Sequence, residues 1–420
     1  MRNKFLHILC MQLFIPFSLL LAQQSTMEDL QSEVNLLKKQ VEILKAEKEK
    51  EAAVSELEEL LQDAGAMAQE KKKDENLTTR VFRGGQRQLQ ALNPNISLTG
   101  DFVGSITSGN SSLLIEPSEF TDGRNRFTMR EAEFHIIAPL DPFTRGKFFM
   151  GVPGDGSLEI EEAYMEWLNL PANINLKIGK FLHQFGILNR WHTHGLPQID
   201  RPSALTNLFG MDGLAGTGLS ANILLPPLLA HVNSLDLEIS TGGDGICFSD
   251  TGNNILLVGH LKNYYDVNRN SYIEIGLSGA QGFNDNALKY QTQLAGLDLA
   301  YKWVPIGREH YRAIECRNEI IFSRMETAQG NRDRLNFYSY ISNRLGMRYW
   351  VGLRYSYSEL PWDAAKKTEW DLSPTLDFWQ SEFVMLRLQY SYTQRSYAEN
   401  DYSIMLQTVW SMGPHKHEAY

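Results

Sequence analysis

The amino-acid sequence predicts an all-β transmembrane barrel of about 16 antiparallel strands, preceded by a signal peptide and an α-helical coiled-coil segment. Three observations support this fold class. The chain begins with a secretory signal, its hydrophobic period changes from helical to two-residue alternation near Asn95, and the alternating runs are mostly long enough to cross a membrane. A tilted membrane-spanning strand needs roughly 9–11 residues.

Residues 1–22 have the composition of a signal peptide. Arg2 and Lys4 give a charged start, and the apolar run FLHILCMQLFIPFSLLLA follows and ends at Ala22. A single membrane anchor is the alternative, but polar residues such as His7 interrupt the apolar run. We therefore expect cleavage after Ala22 and export of the mature chain.

Residues 26–69 show a helical period. The apolar positions step by four and three residues, as in a heptad repeat, at Leu30, Val34, Leu37, Val41 and Leu44. The seam is interrupted at Lys48 and Glu51, so the predicted coiled coil is short. Because the opposite face is almost wholly charged or amide, we expect self-association in the periplasm, with an amphipathic helix packed on its own domain as the alternative. Residues 70–94 are charged, contain a Gly pair and are interpreted as a linker.

Residues 95–420 form the predicted barrel domain. We expect strands near 96–106, 127–138, 145–152, 158–168, 173–181, 213–224, 231–241, 253–264, 271–280, 290–304, 311–324, 334–344, 347–358, 367–378, 382–394 and 401–412. A soluble sandwich also alternates, but this region is too long for one sandwich and has no internal repeat typical of a propeller. Aromatic residues gather at strand ends, as in the interfacial girdles of membrane barrels.

Charge and cysteine content exclude several classes of protein. The formal net charge of −10 argues against nucleic acid as a partner. Only Cys247 and Cys316 remain after signal cleavage, which is no disulfide framework. The sequence contains no G-x-S-x-G motif and no acid–His pair that can be placed together, so we predict no enzyme activity and no cofactor.

Several strand-sized stretches also resemble a known family. GHLKNYYDVNRNSYIEIGLSGAQGFND (259–285), AGLDLAYKWVP (295–305), YWVGLRYSYSE (349–359), SEFVMLRLQYSY (381–392) and LQTVWSMGPHKHEAY (406–420) resemble the outer-membrane porin family related to phosphate-selective porins. The resemblance implies a sixteen-stranded barrel in the bacterial outer membrane, usually trimeric, that passes small hydrophilic solutes or ions by diffusion. The predicted coiled coil is also compatible with a dimer, so a dimer is not excluded.

The alternation assigns charged side chains to the inner face of the barrel. The expected pore-lining residues are Glu131, Glu133, Glu162, Glu166, Lys147, Lys177, Arg354 and Arg387. Further inward acids are Asp101, Asp236, Glu238, Glu274, Asp298, Glu315 and Glu319, and further inward bases are Lys262, Lys302 and Arg317. Phosphate selectivity in the family depends on Arg and Lys at the constriction. The excess of acids here does not support that specificity.

The long connection between the fifth and sixth strands, residues 183–210, is the predicted constriction loop. Barrels of this size fold a loop into the lumen, and this loop combines stiffening Pro residues with polar heads. The residues expected to line the opening and to set ion preference are Arg190, His192, His194, Asp200 and Arg201.

Two other functions stay open. His192 and His194 are candidate metal ligands, because H-x-H places two imidazoles together, with His183 or Asp200 as a third ligand. The coiled coil and the barrel could instead serve a structural role, tethering the outer membrane or oligomerising there.

Overall fold

The computed structural model describes residues 94–108, 126–154, 156–228, 230–243, 245–249 and 254–413. The predicted signal peptide, the coiled coil and nearly all of the linker lie outside the described residues. The described residues belong to the second of two compact units, residues 85–420. Among the described residues, no helix is both long and apolar enough to span a membrane.

Sixteen strands form a closed antiparallel barrel in which each strand pairs with the next and the first pairs with the last. They are β1 (Asn95–Thr107), β2 (Arg126–Pro139), β3 (Thr144–Pro153), β4 (Glu159–Leu170), β5 (Ile174–Leu182), β6 (Ala215–Leu225), β7 (Val232–Thr241), β8 (Ile255–Asn268), β9 (Ser271–Phe283), β10 (Gln291–Trp303), β11 (Arg312–Thr327), β12 (Gly330–Leu345), β13 (Tyr349–Glu359), β14 (Thr368–Trp379), β15 (Val384–Arg395) and β16 (Asp401–Met412). The predicted barrel and its strand number are confirmed. Closure leaves no unpaired sheet edge.

The two faces of the barrel differ sharply in polarity. Leu297 of β10 lies beside Leu277 of β9 and Ile320 of β11 on the outside, and these side chains are 47%, 52% and 49% exposed. The next residue, Asp298, points inward beside Glu319 and is buried. Apolar side chains on the outside and buried charges on the inside invert the pattern of a water-soluble protein, as expected of a barrel surrounded by lipid.

Two of the bulges in the barrel turn an extra charged side chain inward. Between Asp101 and Phe102 of β1 the register on β2 skips Arg130, and between Phe149 and Met150 of β3 the register on β4 skips Glu161. An extra residue changes which side chains point inward at that position. As a result, Arg130 reaches the carboxylate of Asp101 inside the barrel.

The connections differ in length at the two ends of the barrel. At the end that holds both termini of the barrel, most turns are short, as at residues 140–143, 269–270 and 346–348. At the other end most are longer, and the connection from β5 to β6 spans residues 183–214. We call this connection the interior segment, because it folds into the barrel. It contains the 3-10 turn Thr193–Gly195 and α1 (Ser203–Phe209).

The main hydrophobic core lies inside the barrel, between the interior segment and one side of the wall. The segment contributes Phe185, Ile187, Leu188, Ala204, Leu205, Leu208, Phe209 and Leu214, and the wall contributes residues that include Leu256, Val258, Leu294, Ile321 and Tyr338. Leu208, Leu214 and Phe185 are almost wholly buried. Removing one buried Leu side chain costs roughly 2–5 kcal/mol of unfolding free energy. Several such side chains pack the segment against the wall and so hold it in a fixed position.

Candidate functional site

Polar side chains within the interior segment hold its two ends together. The amide nitrogen of Asn189 donates to the carbonyls of His183 (2.8 Å) and Leu214 (2.9 Å), and the side-chain oxygen of Asn189 accepts from the backbone N–H of Leu214 (2.7 Å). Arg201 donates from Nη1 to the carbonyl of Leu188 (2.8 Å) and from Nε to that of Met211 (2.9 Å). Arg201 therefore organises the segment itself.

One side of the barrel wall anchors the start of the segment through carboxylates. Glu319 of β11 accepts hydrogen bonds from the backbone N–H groups of Ile187 (2.7 Å) and Leu188 (3.0 Å). Glu238 of β7 accepts from the backbone N–H of Gln184 (3.0 Å) and lies 2.7 Å from Nδ1 of His183. These two acids satisfy backbone donors that would otherwise be buried without a partner.

Strands further along the wall, β13 and β15, anchor residues 196–200 through arginines. Nη2 of Arg354 on β13 lies 3.0 Å from Oδ2 of Asp200, and its Nε donates to Asp371 of β14 at 3.0 Å. Nη1 of Arg387 on β15 donates to the carbonyl of Leu196 (2.8 Å). Because it bonds both to β7 and to β15, which are eight strands apart in a closed barrel of sixteen, the segment crosses the lumen.

The charge of Asp200 is stabilised by this arrangement. Burial favours the neutral acid and acts to raise the pKa of Asp200, but the ion pair and hydrogen bonds with Arg354 and a hydrogen bond from Gln389 outweigh it. The pKa of Asp200 is therefore below its ordinary value, and Asp200 is ionised at neutral pH.

His192, just before the 3-10 turn, and His194, within it, face carboxylates on β2 and β4. Nδ1 of His194 lies 2.6 Å from Oε2 of Glu133, and Nδ1 of His192 lies 2.6 Å from Oε2 of Glu161 and 3.3 Å from Oε1 of Glu133. Nε2 of His192 is 3.2 Å from Glu162. Burial acts to lower the pKa of His192, but these carboxylates hold it well above its ordinary value.

The candidate third metal ligands of the sequence analysis lie elsewhere. His183 pairs with Glu238 and with the hydroxyl of Ser240 (3.0 Å), and Asp200 pairs with Arg354. Among the described residues, the side chains grouped closely enough to hold a metal ion are Glu133, His135 and His194, and Glu133, Glu161 and His192. The prediction of His183 or Asp200 as third ligand is wrong. Each of these residues is held away from the two histidines by a partner that is distant in sequence, Glu238 for His183 and Arg354 for Asp200.

The eight side chains expected to line the pore all occupy inward positions. Glu131 and Glu133 lie opposite the inward residues Asp101 and Thr99, and Arg354 and Arg387 are buried against the segment. At the end with the short turns, Glu166 binds Arg145 (2.6 Å). In the same region Lys147 and Lys177 lie over the ring of Tyr164, at 5.9 and 5.2 Å.

Sequence reasoning missed Arg130 and Glu161. Strict alternation places each of them outside, because their neighbours Glu131 and Glu162 were assigned inward. The signal in the sequence was the adjacent charged pair, RE at 130–131 and EE at 161–162. Two neighbouring charged residues within one membrane strand indicate a bulge, since one of them would otherwise face lipid.

A cavity of about 930 Å³ opens on the long-loop side of the segment, and we call it the vestibule. Its charged lining consists of Glu131, Glu159, Glu161, Asp200, Asp212, Glu369, Asp371, Asp401, Arg130, Lys180, Arg201, Arg354 and Arg395. Acids outnumber bases there. Low-dielectric walls strengthen the electric field of such a lining.

Arg190 belongs to a different part of the lumen. Its Nη1 donates to the side-chain oxygen of Gln184 (2.9 Å). Burial lowers the pKa of Arg190, and nearby carboxylates that include Asp236, Glu274 and Asp298 oppose this shift. Arg190 is thus a cation within an acidic section of the wall, whereas Arg201 is committed to backbone carbonyls of the segment.

Comparison with known proteins supports the fold. No protein-family model matches the chain. An uncharacterized protein of Aquifex aeolicus (strain VF5) is 28% identical over 321 residues, covering 68% of this chain and 67% of that protein. The anion-selective porin from Comamonas acidovorans superposes with a TM-score of 0.54 at 9% identity, over 76% of this chain and 99% of that one. The high-pH structure of Pseudomonas putida OprB gives a TM-score of 0.54 at 10% identity, over 78% and 96%. At these identities the likeness shows the fold alone.

Proposed function

We propose that the protein is an outer-membrane porin through which small hydrophilic solutes or ions diffuse. The observation that carries this proposal is the inverted polarity of a closed barrel, with exposed leucines such as Leu297 outside and acidic and basic side chains inside. A lipid environment accommodates the outer face, and a polar lumen offers a path for water-soluble molecules. The likeness of the fold to the solved anion-selective porin agrees with this function.

The ends of the barrel set its proposed orientation. Outer-membrane barrels have short periplasmic turns and longer extracellular loops. The turns at residues 269–270 and 346–348 would therefore face the periplasm, and the vestibule would open to the outside. The termini of the barrel would also lie on the periplasmic side, which agrees with a periplasmic coiled coil over residues 26–69.

The interior segment is the proposed constriction. It crosses the lumen, packs against one wall and is bonded to the other, so a solute must pass beside it. Of the five residues expected at the opening, Arg190 is the best candidate to influence ion preference, because it lies among wall carboxylates. Arg201 is expected to act on the shape of the segment instead, through its bonds to backbone carbonyls.

Planar-bilayer recording of the purified full-length protein tests this function. We expect stepwise conductance and, in a salt gradient, a reversal potential that indicates preference for cations, because acids outnumber bases in the vestibule. Protein that inserts, migrates as a folded barrel on unheated gels and gives no conductance would contradict the proposal and favour a structural role for the barrel.

We further propose that the protein is a homo-oligomer in the membrane. The family resemblance suggests a trimer, whereas a two-stranded coiled coil over residues 26–69 would give a dimer. Mass measurement of the detergent-solubilised protein distinguishes the two, and a monomeric mass would contradict both.

A further inference from the structure

Three buried side chains from two separate parts of the chain converge where the interior segment meets β2. Glu133 and His135 are both on β2, two residues apart, so their side chains point into the lumen on the same face. His194 belongs to the 3-10 turn of the segment. The three side chains are 1%, 10% and 5% exposed.

The ligand atoms of these residues lie at separations compatible with one metal ion. Nε2 of His135 is 2.8 Å from Oε1 of Glu133, and Nδ1 of His194 is 2.6 Å from Oε2 of the same carboxylate. The atoms of all three residues lie within 4.8 Å of one another. Zinc binds nitrogen and oxygen ligands at about 2.0–2.2 Å, so neighbouring ligands around it are roughly 3 Å apart. Small side-chain adjustments would admit the ion.

The surroundings of the three residues favour a cation. Glu161 and Glu162 both approach His192, which lies on the other side of Glu133 and is 3.3 Å from it. Three carboxylates thus surround this part of the turn in a region of low dielectric, where negative charge is costly unless cations lie close by. The ring of Phe149 packs edge-on against His135 at a centroid distance of 4.6 Å and helps to exclude water.

We propose that Glu133, His135 and His194 form a binding site for a divalent transition-metal cation of the zinc type, which joins the interior segment to the barrel wall. Two imidazoles and one carboxylate are a ligand set that zinc uses in proteins, with a fourth position left for water or another ligand. Calcium and magnesium prefer oxygen ligands throughout, so the two histidines select against them. The site does not require that the barrel conducts, and binding is measured separately from conductance.

The test uses the purified, folded full-length protein, stripped with a chelator and titrated with Zn²⁺ by calorimetry. We expect saturable binding at the proposed site, and Co²⁺ in place of Zn²⁺ should give the visible absorption bands of a nitrogen- and oxygen-ligated ion. His194→Ala and His135→Ala should each weaken Zn²⁺ binding by at least 10–100-fold, the loss seen even for second-shell partners of metal ligands. Ca²⁺ should not compete.

His260→Ala is the matched control. His260 is also a buried, inward histidine paired with an acid, since its Nε2 lies 3.2 Å from Oδ2 of Asp298, but it belongs to neither group of possible metal ligands. The control variant should bind Zn²⁺ as the unchanged protein does. A variant with both His415→Ala and His417→Ala measures the background from the H-x-H pair near the C-terminus and should keep the buried site.

Folding of each variant is checked by its migration on unheated gels, and Glu133→Gln provides a second variant that preserves shape. Failure of the unchanged protein to bind Zn²⁺ above the background of the His415 and His417 pair would overturn the proposal. Equal binding by folded His194→Ala, His135→Ala and Glu133→Gln variants would also overturn it. Either result would mean that the histidines contact the carboxylates without a metal ion between them.

Discussion

The ion pair between Arg354 and Asp200 should be the most sensitive link between the interior segment and the wall. Arg354 is 1% exposed and binds Asp371 through Nε (3.0 Å) and Asp200 through both terminal nitrogens (2.9–3.2 Å). Arg354→Met keeps much of the apolar stem but leaves two carboxylates in the interior without their cation. Breaking a buried pair in this way costs about 3–5 kcal/mol.

The assay is equilibrium unfolding in guanidinium, followed by tryptophan fluorescence in one detergent for all variants. The matched control is Arg324→Met, because Arg324 forms a similar pair with Asp333 (2.8 Å), but on an exposed surface. We expect no measurable loss of stability for the control, since exposed pairs contribute little. In bilayers, Arg354→Met should also give noisier conductance, because the segment loses an anchor.

A double-mutant cycle makes the argument for Arg354 sharper. Asp200→Asn should destabilise the unchanged protein more than it destabilises Arg354→Met, because the second variant has already lost the pair. A loss below about 1 kcal/mol for Arg354→Met, or additive effects of the two substitutions, would refute the reasoning. In that case the pair would be as dispensable as an exposed one.

Further predictions concern ion preference, pH, packing and modularity. Arg190→Gln should shift the reversal potential toward stronger cation preference. The shift should shrink as salt rises, because the screening length falls from about 10 Å at 0.1 M to about 3 Å at 1 M. An unchanged reversal potential at low salt would mean that Arg190 is away from the ion path. The folded-state pKa of Asp200 lies below its ordinary value of 3.8. The ionised Asp200 therefore contributes its full stabilisation above pH 3.8, and this stabilisation is lost as the pH falls through the lower, folded-state pKa. Asp200→Asn should abolish this part of the acid dependence of unfolding. Leu208→Ala should cost about 2–5 kcal/mol of unfolding free energy, because Leu208 is fully buried in the interior core; a loss equal to that of the lipid-facing control Leu297→Ala would contradict this. Deletion of residues 26–69 should leave a barrel that folds in detergent and shows heat-modifiable migration; loss of that migration would contradict independence of the barrel.

The positions of the strands were predictable because a membrane barrel requires one apolar face per strand. The two-residue period placed Leu297 outside and Asp298 inside, and the structure has this register. Strand ends were less predictable where the strand continues beyond the apolar part. β12 begins at Gly330, four residues before its expected start, because the polar run GNRD extends the hairpin without alternation.

The site was less predictable than the barrel, because its geometry depends on contacts between distant parts of the chain. Length and composition indicated a special segment at 183–210, but nothing local showed that His194 meets Glu133 on β2. The charged pair at 161–162 is a local signal of the bulge on β4, but the contact between Glu161 and His192 joins distant parts of the chain and has no such signal.

The excess of inward acids in the sequence overstates the negative electric field that a permeating ion meets. Several acids instead bind the wall or the segment: the predicted inward acids Glu319 and Glu238 accept backbone N–H groups, and Asp377, which the prediction did not include, is paired with buried Arg387. A carboxylate whose charge is matched by a guanidinium 2.8 Å away contributes little field in the lumen. Ion preference should follow from those acids that face the vestibule or surround Arg190. For this reason replacing one well-placed arginine is expected to change selectivity more than the overall charge count suggests.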